Sequence, residues 1–259
     1  MKRILLISLL LLSVIVSVSA DRRRLLGARN VASAAAPSPS LWIVASNSSN
    51  IVPNGNVTNV TDISGNGHTF TYYNATPSYT SNAVNGLPAL TFGTGTYLTN
   101  ATFPSVLTGS DAPFTAFIVA QKGGPAGTIF QMGSTSDADT SHAISGEFSN
   151  WRVWRRDDAG TLADINTGTF NTSWWLFSVV FDGTTVSMYT NSTAVFTAQS
   201  QNVGTLTLNV AVIGGRNLGG TLSSVFDGGK IAEIKIFNSS LSGGDRATEE
   251  TSLKTKYGF

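Results

Sequence analysis

Residues 174–189 read W-W-L-F-S-V-V-F-D-G-T-T-V-S-M-Y: an apolar run, an Asp-Gly pair, then alternating apolar and polar residues. Two strand-like runs joined by Asp-Gly form the strongest short-range hairpin signal, because such turns need a backbone that glycine adopts without strain. A second tight turn follows at Asn191-Ser192-Thr193, before Ala194-Val195-Phe196. Strands joined this closely run antiparallel. Further short runs on both sides fit the same pattern: Leu41–Ala45, Val57–Asp62, Thr69–Tyr73, Ala89–Phe92, Phe114–Gln121 and Thr128–Met132. Ile144–Phe148, Trp151–Arg155, Leu162–Ile165, Leu206–Ile213 and Ile231–Phe237 complete the set, with Gly, Asn or Asp turns between them. No internal repeat is visible, nor any helical period before Gly243. The expected class is all-β, a two-sheet antiparallel jelly-roll sandwich.

One helix is expected at the C-terminal end. Ser242 can cap it, and Asp245, Glu249 and Glu250 favour its positive end. Lys254 and Lys256 fall near the other end, Gly258 can terminate it, and Leu253 and Tyr257 share one face.

Composition narrows the function. Of 259 residues only 12% are charged, and the chain has 26 Gly and no Cys. The absence of Cys excludes a disulfide framework, a thiolate metal site and a thiol nucleophile. Lys2-Arg3, the apolar run Ile4–Val16 and Ser17–Ala20 form a signal-peptide pattern over residues 1–20, with cleavage expected after Ala20. The alternative is an uncleaved segment acting as a membrane anchor. Residues 21–40, with Arg22-Arg23-Arg24 and then Ala, Ser and Pro, bury little and read as a disordered leader. Six basic residues (Lys2, Arg3, Arg22, Arg23, Arg24, Arg29) lie in these segments beside Asp21. Setting them aside from totals of 16 basic and 15 acidic residues leaves a net charge of −4 from Pro37 onward. That balance disfavours nucleic acid. The remaining span, 41–259, is about the size of one β-sandwich. Secretion gives meaning to eight N-glycosylation acceptor sequences, at Asn47, Asn56, Asn59, Asn74, Asn100, Asn171, Asn191 and Asn238.

Several segments then carry a family resemblance. L-W-I-V-A-S (41–46), V-T-D-I-S-G-N-G-H (60–68), N-G-L-P-A-L-T-F (85–92), W-W-L-F-S-V-V-F-D-G (174–183) and G-K-I-A-E-I-K-I-F (229–237) stand in one order. Together they resemble the LamG-like jelly-roll domains of the concanavalin A-like lectin/glucanase superfamily. The resemblance implies a carbohydrate-binding or adhesive module, and not catalysis. The chain departs from the family at Val44, often acidic there, at Val60, often Trp, and at Asn191-Ser192, often Asn-Gly.

Catalytic patterns are weak. Glycoside cleavage needs two carboxylates across the scissile bond. No strand offers acids at alternating positions: Glu147 is followed on its face by Ser149 and Trp151, and Glu233 by Lys235. His68 and His142 are the only histidines, with no nucleophile-elbow motif beside them. A divergent polysaccharide-cleaving enzyme therefore ranks below a binding module and below a structural protein of a wall or coat. No cofactor is implied; for calcium, Asp137 and Asp139 form the best local pair of hard ligands.

The sharpest binding signal is F-S-N-W-R-V-W-R-R (148–156). If extended, Arg152, Trp154 and Arg156 share one face and Trp151 and Val153 the other. With Trp151 in the core, the Arg-Trp-Arg face looks outward, offering an indole for stacking on a sugar and guanidinium groups for an anionic one. The expected partner is a glycan or glycosylated surface. Two readings stay open: a one-residue slip would exchange the faces, and nearby acids such as Asp157 and Asp158 could simply pair with the arginines.

Overall fold

Alternation makes the strands here, and the turns decide which strands pair. The computed structural model describes residues 37–259 except 48–50, 53–54, 125, 137–140, 148–149 and 170, so the expected signal segment lies outside it. The described chain runs through β1 (Leu41–Val44), a 3-10 turn (Ala45–Asn47), β2 (Ile51–Val52), β3 (Asn56–Val57), β4 (Asn59–Val60), β5 (Phe70–Asn74) and β6 (Ser78–Val84). Next come β7 (Leu87–Thr91), β8 (Thr96–Asn100), β9 (Phe114–Gln121), β10 (Ala126–Gly133), β11 (Ser141–Glu147), β12 (Asn150–Arg156) and β13 (Leu162–Thr167). Then follow β14 (Trp174–Phe181), β15 (Thr185–Thr190), β16 (Thr193–Ser200), β17 (Val210–Ile213), β18 (Arg216–Leu218), β19 (Thr221–Ser223), β20 (Lys230–Phe237) and helix α1 (Gly243–Tyr257).

These strands form two large sheets. One has ten strands in the order β16-β15-β14-β9-β20-β7-β6-β3-β2, with β1 also on β20. The other has eight, in the order β13-β12-β11-β10-β17-β8-β5-β4, while β18 and β19 stand apart as a hairpin. Pairing is antiparallel throughout the named strands. The fold is the expected all-β sandwich with one C-terminal helix.

Between the sheets lies the main core, including Phe70, Phe92, Phe103, Phe130, Trp151, Phe177 and Phe181. Trp151 packs its ring edge-on against Phe177 and Trp175. A second core fills the space between the ten-stranded sheet and α1, from Phe117, Val119, Leu176 and Phe237 to Leu253 and Tyr257. A smaller third cluster, Tyr97, Val210 and Val212 with Leu222 and Val225, lies on the outer face of the eight-stranded sheet. Each fully buried Phe or Leu contributes about 1.5–3 kcal/mol, so burial on three layers dominates stability.

Turn chemistry follows the sequence closely. Asn85 and Gly86 both have positive φ (47° and 76°), as a two-residue turn between β6 and β7 requires. Asn191 and Ser192 do the same between β15 and β16 (48° and 72°). The Asp-Gly loop holds three residues between its strands. Asp182 Oδ1 accepts from the N–H groups of Thr184 and Thr185 at 2.9 and 2.7 Å. Those bonds hold the Asp182 carboxyl down at about 2.

Helix α1 is capped as its sequence dictates: the Ser242 hydroxyl accepts from Asp245 N–H, and Gly258 ends it in the left-handed conformation. Two strand expectations need correction. Of Leu206–Ile213 only Val210–Ile213 is a strand, because the N–H and hydroxyl of Thr207 bond the Asp158 carboxylate instead of a neighbouring strand. Val57–Asp62 divides into β3 and β4 on different sheets, and Asp62 leaves the ladder to organise a turn.

Candidate functional site

Strand order brings one row of side chains across the outer face of the eight-stranded sheet: Thr71, Thr99, Val212, Gln131, Ala143, Trp154 and Asp164. The pleat places Trp151 and Val153 in the core, so Arg152, Trp154 and Arg156 do share the outer face. They do not form an open platform. Trp154 is only 3% exposed, which corrects the reading of its indole as a free stacking surface.

The cover is made of charge. The Arg152 guanidinium lies 4.7 Å from the centre of the Trp154 ring, and Arg216, from β18, lies 5.6 Å from it. Arg152 is fixed there by two hydrogen bonds to Asp164, at 2.9 and 2.8 Å. The indole Nε1–H donates to Ser141 Oγ at 3.0 Å. Arg156 is half-buried and donates to the Gly160 carbonyl at 3.3 Å. The acid that holds Arg152 over the ring is Asp164.

The β18–β19 hairpin lies over the same face. Buried Gln131 acts as a strand stand-in: its Nε2 donates to the Asn217 carbonyl and its Oε1 accepts from Asn217 N–H. Gly214 and Gly215 let the chain leave β17 for this hairpin, since a Cβ on Gly215 would stand 2.1 Å from the Tyr97 ring. Tyr97 is buried beneath, and burial raises its hydroxyl above the ordinary value.

Beyond the hairpin the face opens. Tyr73 pairs directly with Tyr97 across β5 and β8, yet is 50% exposed. Thr71 is exposed and Thr99 half-buried beside it. This end offers one phenol face and two hydroxyls, a set suited to a ring that is apolar on its faces and polar at its rim. Residue reasoning passed over it; the consecutive pair Tyr72-Tyr73, in a strand otherwise polar after Phe70, was the available signal.

Buried charged side chains elsewhere among the described residues are already engaged. Arg155, on the core side of β12, donates to the carbonyls of Gln201 and Ser110 and lies 4.0 Å over the Phe181 ring. Burial draws its guanidinium down to about 10, with Asp111 opposing. Asp157 is pushed up by burial, but the N–H groups of Gly204, Thr161 and Ala159 outweigh this and hold it below its usual value. Asp62 accepts from Trp42 N–H, Ser64 N–H, Ser64 Oγ and His68 N–H, which explains the S-G-N-G-H turn. Glu233, only 2% exposed, accepts from Trp42 Nε1, Lys256 Nζ and Tyr257 Oη at 2.7, 2.5 and 2.7 Å. Burial and then Glu233 push the Tyr257 hydroxyl far up. Glu250 is paired with Arg246. Each of these carboxylates stabilises the fold through its own bonds.

A depression of about 320 Å³ lies beside the S-G-N-G-H turn, lined by Ser40, Asn66, His68, Val106 and Asn238. His68 Nδ1 there is 3.1 Å from Thr102 Oγ1, and no carboxylate lines the space. Among the described residues no three His, Asp or Glu side chains cluster to hold a metal ion; Asp137 and Asp139 lie outside the described residues. No described helix is long and apolar enough to cross a membrane.

The acceptor asparagines divide by geometry. Asn47, Asn56, Asn74, Asn171 and Asn238 are exposed, and Asn59 and Asn191 half-buried. Asn100 is 8% exposed. Its Nδ2 donates to the Thr69 carbonyl at 2.8 Å and its Oδ1 accepts from Phe103 N–H. The nitrogen that would carry a sugar is committed to the fold.

Neither a family model nor a curated protein sequence matches the chain. Solved structures do. The binding domain of botulinum neurotoxin serotype G superposes with a TM-score of 0.64 at 11% identity, covering 84% of this chain and 51% of that one. The binding domain of botulinum neurotoxin DC, in complex with rat synaptotagmin II, gives 0.60 at 12% identity over 83% and 52%. A structure of botulinum neurotoxin type C, whose cell entry depends upon interaction with two ganglioside molecules, gives 0.60 at 12% identity over 83% and 51%. The chain spans about half the length of these structures, and at this identity the likeness shows the fold.

Proposed function

We propose that the chain is an exported, non-catalytic binding module of the concanavalin A-like, LamG-like type, and that it takes a glycan on the outer face of the eight-stranded sheet, at Tyr73, Thr71 and Thr99. One observation carries this reading: on a face whose other aromatic rings, Tyr97 and Trp154, are buried, Tyr73 is half exposed. A phenol left in water offers stacking area at low cost in conformational entropy. Solved structures with this fold include a ganglioside-dependent toxin, which supports the choice of ligand class by analogy. Export is proposed from the leader pattern at residues 1–20.

A glycan array tests the site. It is run on protein with and without its N-glycans, because Asn59 pairs with Thr71 on the same face. Tyr73→Ala is expected to lower affinity for any glycan hit about tenfold or more, the scale of one lost stacking contact. Unchanged binding by Tyr73→Ala, with loss in Arg156→Ala, would move the site to the arginines.

A second reading is a protein-contact module. The observation in its favour is Leu162, 50% exposed on the edge strand β13. Leu162→Ser would then weaken partner capture and leave the array unchanged.

A further inference from the structure

Strand β5 ends with two exposed tyrosines and an acceptor asparagine, and the backbone bends there. Asn74 has φ 71°, and Ala75 N–H donates to the Tyr73 carbonyl at 3.0 Å, which makes Asn74 the centre of a γ-turn. Asn74 and Ala75 are exposed, and Thr76 completes the acceptor sequence. Among the described residues no hydrogen bond engages the Asn74 side chain, whereas the Asn100 amide is spent on Thr69. The turn therefore presents a solvent-facing amide nitrogen on a bent segment.

Tyr72 supplies the second observation. Phe70, two residues earlier on the same face, is fully buried, but Tyr72 is 47% exposed. The end of β5 thus overhangs the core, leaving an aromatic ring with solvent on a side meant for packing. Tyr72 lies two residues before Asn74, so a sugar on the exposed Asn74 amide is held within reach of the exposed Tyr72 ring.

We propose that Asn74 carries an N-linked glycan and that its first N-acetylglucosamine lies against the Tyr72 ring, covering the aromatic area the fold leaves open. In the modification, Asn74 Nδ2 forms a bond to C1 of a lipid-diphosphate-linked oligosaccharide. The bond from C1 to the diphosphate oxygen breaks, the lipid diphosphate leaves with the electron pair, and one amide proton passes to a base of the transferase. The sugar then acts as a missing side chain: its apolar face removes the phenol from water, and its hydroxyls face solvent. The proposal rests on the export reading and goes beyond it by assigning a site and a structural role.

The test uses the full chain secreted from a eukaryotic host. Glycopeptide mass spectrometry is expected to find Asn74 occupied, and Thr76→Ala to abolish that occupancy. Trimming to a single N-acetylglucosamine should keep the melting temperature, and complete removal should lower it by about 3 °C, a shift readable for a domain this size. Tyr72→Thr should erase the difference between the two forms, and Tyr73→Thr should preserve it. A secreted chain bearing sugar at Asn56 or Asn238 but none at Asn74 overturns the proposal while export stands. Occupied Asn74 with a sugar-dependent stability that survives Tyr72→Thr overturns the stacking. A chain retained inside the cell with all acceptors bare overturns export, and the proposal with it.

Discussion

The sandwich has two outer faces, and each meets water differently. The back of the ten-stranded sheet is sealed by α1. Leu253 and Tyr257 pack onto Phe117, Val119 and Leu176, and Glu233 draws Trp42, Lys256 and Tyr257 to a single carboxylate. Among the described residues no helix covers the front of the eight-stranded sheet. Its cover is a two-stranded hairpin held by Gln131, together with two arginines over Trp154. That cover is partial, and it stops before Tyr73. A helix closes a face completely, whereas a hairpin and a cation–ring stack leave one end open. The open end is the ligand site proposed above.

Trp154→Ala gives the largest expected effect that tests this contrast. If the indole is packing and not platform, the loss is about 3–5 kcal/mol, as for other buried aromatic deletions. Urea midpoints would show that loss, while affinity for a glycan, measured per folded molecule, stays at the wild-type level. Lost binding with intact stability would instead make the covered end of the face the site. Glu233→Gln comes next, at about 2 kcal/mol, the scale of hydrogen bonds to a charged group. It should loosen α1, seen as faster amide exchange in residues 243–257, and leave glycan binding unchanged. A binding change there would couple two faces held here to be independent.

The smallest effect is an acid one. The Asp182 carboxyl is depressed to about 2 in the fold and titrates near 3.9 when unfolded. Its contribution is therefore present above about pH 4 and is lost as pH falls from there toward 2. Asp182→Asn should lower the urea midpoint modestly at pH 7, where the carboxylate contribution is present, and flatten part of its decline between about pH 4 and pH 2. An unaltered acid limb would assign that decline to other carboxylates, of which Asp157 is also depressed.

Local signals carried the fold. The D-G loop, the Asn85-Gly86 turn and the Ser242 and Gly258 caps act within a few residues, so a single sequence displays them. Strands β6 and β8 escaped because S-Y-T-S-N-A-V and T-Y-L-T-N show little apolar alternation; pairing with β7 and with β5 and β17 makes them strands. The site was harder. Alternation placed Arg152, Trp154 and Arg156 on one face correctly, but exposure depends on what crosses that face. The cover over Trp154 includes Arg216, from a hairpin more than sixty positions away in the chain. Tyr73 is open for the converse reason, since nothing in its neighbourhood announces that the hairpin stops short.

The buried Glu233 joins residues 191 positions apart when it accepts from Trp42. Among the described residues strand β1 pairs with β20 alone, so its place does not exist until residues 230–237 have been made. A ribosome would therefore deliver β1 long before its partner β20, and loop closure of that length makes such topologies slow to complete. Nascent chains of this protein should resist protease only after α1 has cleared the exit tunnel, and a stop codon placed before Lys256, which takes two partners from Glu233, should leave the chain protease-sensitive.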